Sequence, residues 1–473
     1  MLSRLGAATL SEMETGTVVV LPSATFPVAE LERIAGIQFY EERMLFTSLF
    51  LAKPDVRVVY VTSLPVDEAI VDYYLGFLGD PVEARRRLAM VSLDDPGPRA
   101  LSEKLLVRPD VLARIGALAG GPDDAYILPF NMTAAEHEVS AALGLAIYGP
   151  HPDLAQRGSK TGSRQVAARA GVAVLAGAEN LHSLDEVAAS VATIRADRSD
   201  VQAVVVKLNN GFSGQGNAIV TVGDTAGPIA DWPTIFCAAA ETWPSFEAKL
   251  AAEGGIVEEL VRGDAVASPS VQMRIAPNGI HEVVSTHDQL LGGPENQVYL
   301  GCRYPADESY RSEIEAAGAR VADVLADDGV IGSFGIDFVV TPQRVTLSEI
   351  NLRMGGTTHP YWMARLVTGR HDVHYLASDN LKSASLVGRT PAEVLALVND
   401  AGLAFDPASG TGVCLHLLGA VPQFGKLGAT CIAEDPAAAQ SLYDRLVAAL
   451  VGVKVDTSST RVRTPQPVPP LRM

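Results

Sequence analysis

Four short apolar runs in the first third of the chain, at residues 17–21 (TVVVL), 56–61 (VRVVYV), 88–93 (LAMVSL) and 126–129 (YILP), alternate with longer amphipathic stretches at 40–51, 66–78, 108–119 and 134–145. Runs this short and apolar read as buried strands, and the stretches between them as helices. Repeated strand–helix alternation is satisfied by βαβ units around a mostly parallel sheet. It predicts an α/β domain over residues 1–150, closed by the turn-rich YGPHP at 148–152.

Beyond residue 151 the pattern changes. Helices are predicted at 159–170 and 184–196, the second opened by Ser183 with Glu186 three residues on, the spacing of a capping box. Strands follow at 203–208 and 218–222, then a helix near 246–252 and a strand at 256–261. Residues 270–291 have antiparallel character around a turn at Pro277-Asn278-Gly279. A helix at 310–326 precedes strands at 334–340 and 345–352. The C-terminal part reads as an α+β appendage: a helix at 391–398, a strand at 412–418, a helix at 437–450 and an extended proline-rich tail at 464–472. No internal repeat is visible.

Net charge narrows the partners. The 473 residues carry 37 Lys+Arg against 55 Asp+Glu, a formal charge of −18. A field of that sign repels phosphate backbones, so a nucleic-acid binder is not expected, although a local cationic pocket for one nucleotide remains compatible. No 18-residue apolar run marks a membrane span and the N-terminus lacks a signal-peptide core, so no membrane partner is expected. Four scattered cysteines form no CxxC pair. A soluble, cytoplasmic protein follows as the expectation.

Three constellations carry chemistry. The strongest is at 332–340 (GSFGIDFVV) and 346–353 (TLSEINLR). Asp337 is a lone acid in an apolar strand. The period of 2 in the next strand puts Glu349, Asn351 and Arg353 on one face and Ile350 and Leu352 on the other. Two carboxylates and an amide oxygen suit Mg²⁺, and Arg353 beside them can stabilise a transferring phosphoryl group or an oxyanion. A half-exposed strand with a charged outer face would explain the second segment but not Asp337. In the next constellation, Lys207 ends a buried-type strand and is followed by a loop with Gly211, Gly214 and Gly216. Glycines allow backbone N–H groups to approach phosphates. The strand after the loop excludes a Walker loop and fits a hairpin flap over a triphosphate. A flexible hairpin with a snorkelling lysine is the alternative. In the third, Glu258 and Glu259 lie near a strand end, where an acceptor and the main chain at Leu260 could meet an adenine. Exposed Glu-Glu pairs are common without such a role. Lys160, at the start of the 159–170 helix, can reach phosphates or stand solvated. His371 and His374 lack the partners for a zinc set.

In this order, the segments VVVKLNNGFSGQGNA, IVEEL, GSFGIDFVV and SEINLRMGG resemble the ATP-grasp superfamily over about residues 159–369. The resemblance implies an N-terminal pre-grasp domain at 1–150, a lid at 151–257, a catalytic core at 258–389 and an appendage at 390–473. It implies ATP and two Mg²⁺ ions as cofactors. Lys160 and Lys207 would hold phosphates. Gly211, Phe212, Ser213, Gly214, Gln215 and Gly216 would form the flap, and Glu258, Glu259 and Leu260 would take the adenine. Asp337, Glu349 and Asn351 would bind metal, and Arg353 and Lys207 would act in catalysis. Asp264 falls one place early for the family's ribose-binding acid. THDQLLGGPENQVYLGCRYP, SEINLRMGGTTHPYWMARLVTG and the appendage further resemble ATP-grasp peptide ligases of the pheganomycin-biosynthesis type. That implies joining a carboxylate, an N-capped amidino-bearing amino acid, to a peptide amine through an acyl phosphate. Other ATP-grasp ligases and a non-catalytic nucleotide-binding regulator are the alternatives. The expected partners are a small-molecule carboxylate and a peptide amine, with a homodimer left open. His287, Asp288 and Gln289, and His416 with Gln423 and Lys426, are candidates for substrate contact; ordinary loop polarity and a purely stabilising clasp are the respective alternatives.

Overall fold

The computed structural model describes residues 15–26, 28–32, 34–211, 216–222, 227–238, 241–263 and 265–451. The predicted first sheet forms from β1 (Thr15–Leu21), β2 (Asp55–Thr62), β3 (Leu88–Ser92), β4 (Ala125–Pro129) and β5 (Ala146–Ile147). It is parallel throughout, in the order β3-β2-β1-β4-β5. Its strands are apolar on both sides because both faces are covered, which is why they read as continuous runs. One face has its own core of Val19, Val59, Val91, Leu105 and Ile115. The other shares a core with the C-terminal region, where Val18, Val58 and Tyr60 join Trp362, Leu415 and Cys431. The segment Ile37–Ala52, expected as an amphipathic helix, is a 16-residue 3₁₀ helix. It is buried almost all round, glutamates included, so it shows no stripe.

The second sheet contains β6 (Gly177–Leu181), β7 (Ala203–Leu208), β8 (Asn217–Thr221), β9 (Thr234–Phe236) and β10 (Gly255–Glu259), in the order β6-β10-β7-β8-β9 and antiparallel. The helix Leu184–Asp197 packs against it through Val187, Val191 and Ile194. Ser183 caps that helix by accepting from the Glu186 N–H, but the Glu186 carboxylate reaches back to the N–H of His182 instead of Ser183.

The third sheet has eight antiparallel strands: β11 (Pro269–Ile275), β12 (His281–Gly292), β13 (Val298–Tyr304), β14 (Gly332–Thr341), β15 (Arg344–Asn351), β16 (His374–Lys382), β17 (Gly412–His416) and β18 (Lys426–Ala433). Their order is β15-β14-β11-β12-β13-β16-β18-β17. The helix Glu308–Asp327 covers one face, with Ile314, Val321 and Leu325 against Met273, Phe334 and Ile336. Two expected boundaries move. The division at 257/258 falls inside β10, which completes the second sheet. The appendage from 390 onward does not fold apart, because β17 and β18 extend the core sheet through β16. Among the described residues no helix is long and apolar enough to cross a membrane.

Candidate active site

The phosphate-binding candidates are each held by a carboxylate, Lys160 by Glu349 and Lys207 by Glu258. The helix Lys160–Arg169 opens with Ser159, whose hydroxyl accepts from the Gly162 N–H at 2.9 Å. Only glycine fits at 162, since a Cβ would lie 1.7 Å from the carbonyl oxygen of Gln156. Ile350 donates its N–H to the Ser163 hydroxyl at 2.9 Å, which ties this helix to β15. Lys160 Nζ thereby donates to the Gly211 carbonyl at 3.1 Å and to the Glu349 carboxylate. One turn on, Arg164 Nη1 donates to Glu258 Oε1 at 2.8 Å, and Lys207 Nζ to Glu258 Oε2 at 2.8 Å. Burial opposes the Lys207 charge, but Glu258 beside it, with Glu349, outweighs burial and raises its pKa.

Alternation along β10 sends Glu259 to the opposite face. There it accepts from the Ala176 N–H at 3.0 Å and pairs with Arg344 and, at 3.3 Å, with Arg198. The carboxylates of Glu258 and Glu259 are thus both engaged by protein cations. The N–H groups of Glu259 and Leu260 are bonded to Ala176 and Ala203. Gly211 and Gly216 flank the flap, Gly216 with φ +84° and its carbonyl accepting from the Leu208 N–H at 2.9 Å. Phe212, Ser213, Gly214, Gln215, Asp264 and the tail at 464–472 lie outside the described residues.

Adjacent strands build the metal-ligand candidates. Asp337 of β14 and Glu349 of β15 are paired residues, and Asn351 is paired with Gly335. Asp337 accepts from Gln289 Nε2 at 2.6 Å and from Asn351 Nδ2 at 3.0 Å. Asn351 Oδ1 accepts from Arg353 Nη2 at 3.0 Å. Burial, then the charge of Glu349, pushes Asp337 up to about 7 despite Arg353 and Lys160. Glu349 has Lys160, but the pair of acids together is still close enough to suit a divalent cation, which would relieve the repulsion. Asn351 would have to turn its amide oxygen away from Arg353 to join them.

The substrate candidates separate. Gln289 holds Asp337, as above. Asp288 lines the cavity and accepts from the Tyr310 hydroxyl at 2.6 Å and the Asp307 N–H at 3.0 Å; burial raises it to about 6. His287 is a core residue, fully buried among Tyr304, Tyr361 and Tyr375 and bonded to the Tyr375 hydroxyl at 2.7 Å. Burial takes its pKa down to about 3, so it stays neutral. His416 is buried behind Asp379, with Nε2 2.7 Å from Oδ1. Lys426 bonds the Tyr40 hydroxyl. Neither of these, nor Gln423, lines the cavity; from the appendage Gln440, Tyr443 and Asp444 of the helix Pro436–Val451 do. Sequence reasoning missed Arg164, although its i, i+4 spacing from Lys160 was a usable signal. It also missed Arg43 and Asp379, which nothing nearby flags.

Lys160, Lys207 and the metal-ligand candidates open onto one cavity of 2920 Å³, which Leu260, Arg353, Tyr299, Arg43 and Tyr443 also line. A pocket for one small ligand is about 300–1,000 Å³, so this one has room for a nucleotide and further substrates.

The chain is 30% identical over 461 residues to the L-propargylglycine–L-glutamate ligase of Streptantibioticus cattleyicolor, covering 92% of this chain and 94% of that one. It belongs to the ATP-grasp ligases. Two family descriptions match within it, an IQCH-like ATP-grasp domain at residues 233–350 and a PGM1 C-terminal domain at 393–446. The IQ motif-containing protein H of Danio rerio is 21% identical over 377 residues, which are 68% of this chain but 35% of that protein. Solved ATP-grasp folds superpose along nearly the whole chain. An ADP complex of N5-carboxyaminoimidazole ribonucleotide synthetase has TM-score 0.54 at 11% identity, over 91% of this chain and 96% of that one. Biotin carboxylase from Campylobacter jejuni has TM-score 0.56 at 15% identity, over 91% and 90%. As an ATP-grasp ligase the protein is an enzyme that forms carbon–nitrogen bonds.

Proposed function

We propose that this ATP-grasp ligase joins a small carboxylate, an N-capped, amidino-bearing amino acid, to the amino group of a peptide through an acyl phosphate. The observation that carries the reading is the single cavity in which Lys160, Lys207, the paired acids Asp337 and Glu349, and Arg353 adjoin a large unfilled end. A donor carboxylate oxygen attacks the γ-phosphorus of ATP, the bond to the β-phosphate oxygen breaks, and ADP leaves. The amine nitrogen then attacks the acyl carbon, phosphate leaves, and the amine gives up a proton. Lys160 and Lys207 offset phosphate charge, and Arg353 stabilises the charge that develops on the transferring group and then on the tetrahedral oxyanion. Two Mg²⁺ ions, held by Asp337, Glu349 and Asn351, would supply further charge neutralisation. The flap between Gly211 and Gly216 would exclude water from the acyl phosphate.

Similarity to a ligase named for two amino acids supports small amino-acid substrates. The test is a mass-spectrometric screen of carboxylate–amine pairs with ATP and Mg²⁺. It includes N-amidinoglycine with short peptides, and L-glutamate with L-propargylglycine. A product lighter than the sum of its partners by one water is expected for an amidino acid with a peptide. Coupling confined to L-glutamate and L-propargylglycine would move the substrate assignment, and no coupling in the screen would contradict it.

A further inference from the structure

Four elements meet at a buried acid that the nucleotide site does not use. Asp379, on β16, is 4% exposed. Its Oδ1 lies 2.9 Å from His359 Nε2, at the start of the helix Thr358–Thr368, and 2.7 Å from His416 Nε2, at the end of β17. Gly428 on β18 makes room for this contact, because a Cβ there would lie 2.2 Å from His416 Nε2. Oδ2 lies 2.9 Å from Nη2 of Arg43, carried by the 3₁₀ helix Ile37–Ala52. Burial opposes ionisation of Asp379, but its partners outweigh burial and hold it well below the usual carboxylate range. Burial takes the His359 pKa down to about 4, and Arg43 brings a guanidinium to the other carboxylate oxygen.

Two imidazoles and a carboxylate also make a metal-ligand set. The guanidinium argues against that use. Arg43 already compensates Asp379, and a divalent ion between the imidazoles would add two positive charges beside it in a buried place. The 2.7 and 2.9 Å separations are those of imidazole N–H donors on a shared oxygen.

What the cluster does is aim Arg43. Its guanidinium lies 4.2 Å from the centroid of the Tyr40 ring, which fixes its plane. Arg43 lines the same cavity as Arg353. Nε of Arg43 has no hydrogen-bond partner among the described residues. A fixed guanidinium with donors to spare, in a cavity also lined by Arg353, suits a planar anion, since each good N–H···O⁻ contact is charge-assisted.

We propose that Arg43 binds the carboxylate of the acyl donor at the end of the cavity beyond Arg353, with Asp379, His359 and His416 as positioning residues. The assignment of the anion to the acyl donor rests on the ligase reading. A donor carboxylate must approach a triphosphate of like charge and needs a cation beside the transfer site, whereas an attacking amine is neutral.

The test is calorimetric titration of a carboxylate panel (L-glutamate, N-amidinoglycine and simple α-amino acids) into the protein with ADP and Mg²⁺. At least one carboxylate should bind the wild type and lose roughly tenfold or more in affinity in Arg43→Ala, with ADP affinity unchanged. Arg43→Lys should recover only part of the loss, because an ammonium lacks the fork. Free guanidinium ion should restore carboxylate binding to Arg43→Ala, which a merely structural defect would not allow. Asp379→Asn should weaken carboxylate binding by a smaller factor, with Asp379→Glu intermediate between it and the wild type. Carboxylate affinity unchanged in Arg43→Ala, no panel member bound by the wild type, or stoichiometric metal lost in His416→Gln would overturn the proposal. Arg43-dependent carboxylate binding without ADP release from ATP and any carboxylate–amine pair would instead sink the ligase reading and leave the anion site standing.

Discussion

Two acids on neighbouring sheets, Glu258 buried and Asp337 half-buried, meet opposite fates. Glu258, in β10, receives Lys207 on one oxygen and Arg164 on the other, each at 2.8 Å. Asp337, in β14, receives among the described residues only the amides of Gln289 and Asn351 and lies across a strand pair from a second acid, Glu349. The first cluster is electrostatically complete in the protein alone. In the second, Asp337 has its pKa at about 7 because burial and Glu349 disfavour its charge. An acid answered by cations holds a lysine and an arginine in place; an acid facing another acid suits a cation from solution.

Three substitutions break or sharpen that contrast. Glu258→Gln leaves Lys207 and Arg164 buried without their counter-charge, and stability should fall by about 3–5 kcal/mol, read by denaturant unfolding without nucleotide. A loss under about 1 kcal/mol would mean the cluster is wetter than the contacts imply. Glu349→Gln should cut ATP-dependent turnover by roughly a hundredfold or more, about 3 kcal/mol of transition-state stabilisation, read by ADP release. Activity within about threefold of wild type would remove Glu349 from the metal face.

Asp337→Asn should have a smaller effect than Glu258→Gln on the stability of the metal-free protein, and of opposite sign. With its folded pKa raised from 3.8 to about 7, Asp337 retains a proton that the unfolded chain has released. Native Asp337 therefore makes stability fall as pH rises through that window. The amide removes this cost, so the variant should be more stable than wild type at pH 8, by about 1–3 kcal/mol, with the gain fading toward pH 4. Unfolding curves at the two pH values check the sign, and a variant destabilised at pH 8 would contradict the uncompensated-acid account.

The parallel sheet and the Asp337–Glu349 strand pair were legible because burial on both faces writes continuous apolar runs, and a lone acid in such a run has few structural explanations. The grasp sheets followed from the order of the motifs. The fate of Glu258 was not legible. A carboxylate beside a strand end looks the same whether it meets a ligand or a protein cation, and Arg164 sits 94 residues away in the chain. His287 misled for a related reason, since the polar residues around it suggest a pocket while its neighbours in space are the rings of Tyr304, Tyr361 and Tyr375. The appendage looked separable because its pairing partner, β16, carries the polar HDVH segment at its start and reads as loop. Arg43 and Asp379 meet only when the first and third sheets share a core, a relation that no local pattern encodes.

The most direct test follows ¹⁸O from a labelled donor carboxylate during ligation. Attack of that carboxylate on the γ-phosphorus predicts ADP as the nucleotide product and one labelled oxygen in the released inorganic phosphate. AMP with pyrophosphate, or ADP with unlabelled phosphate, would contradict the acyl-phosphate route.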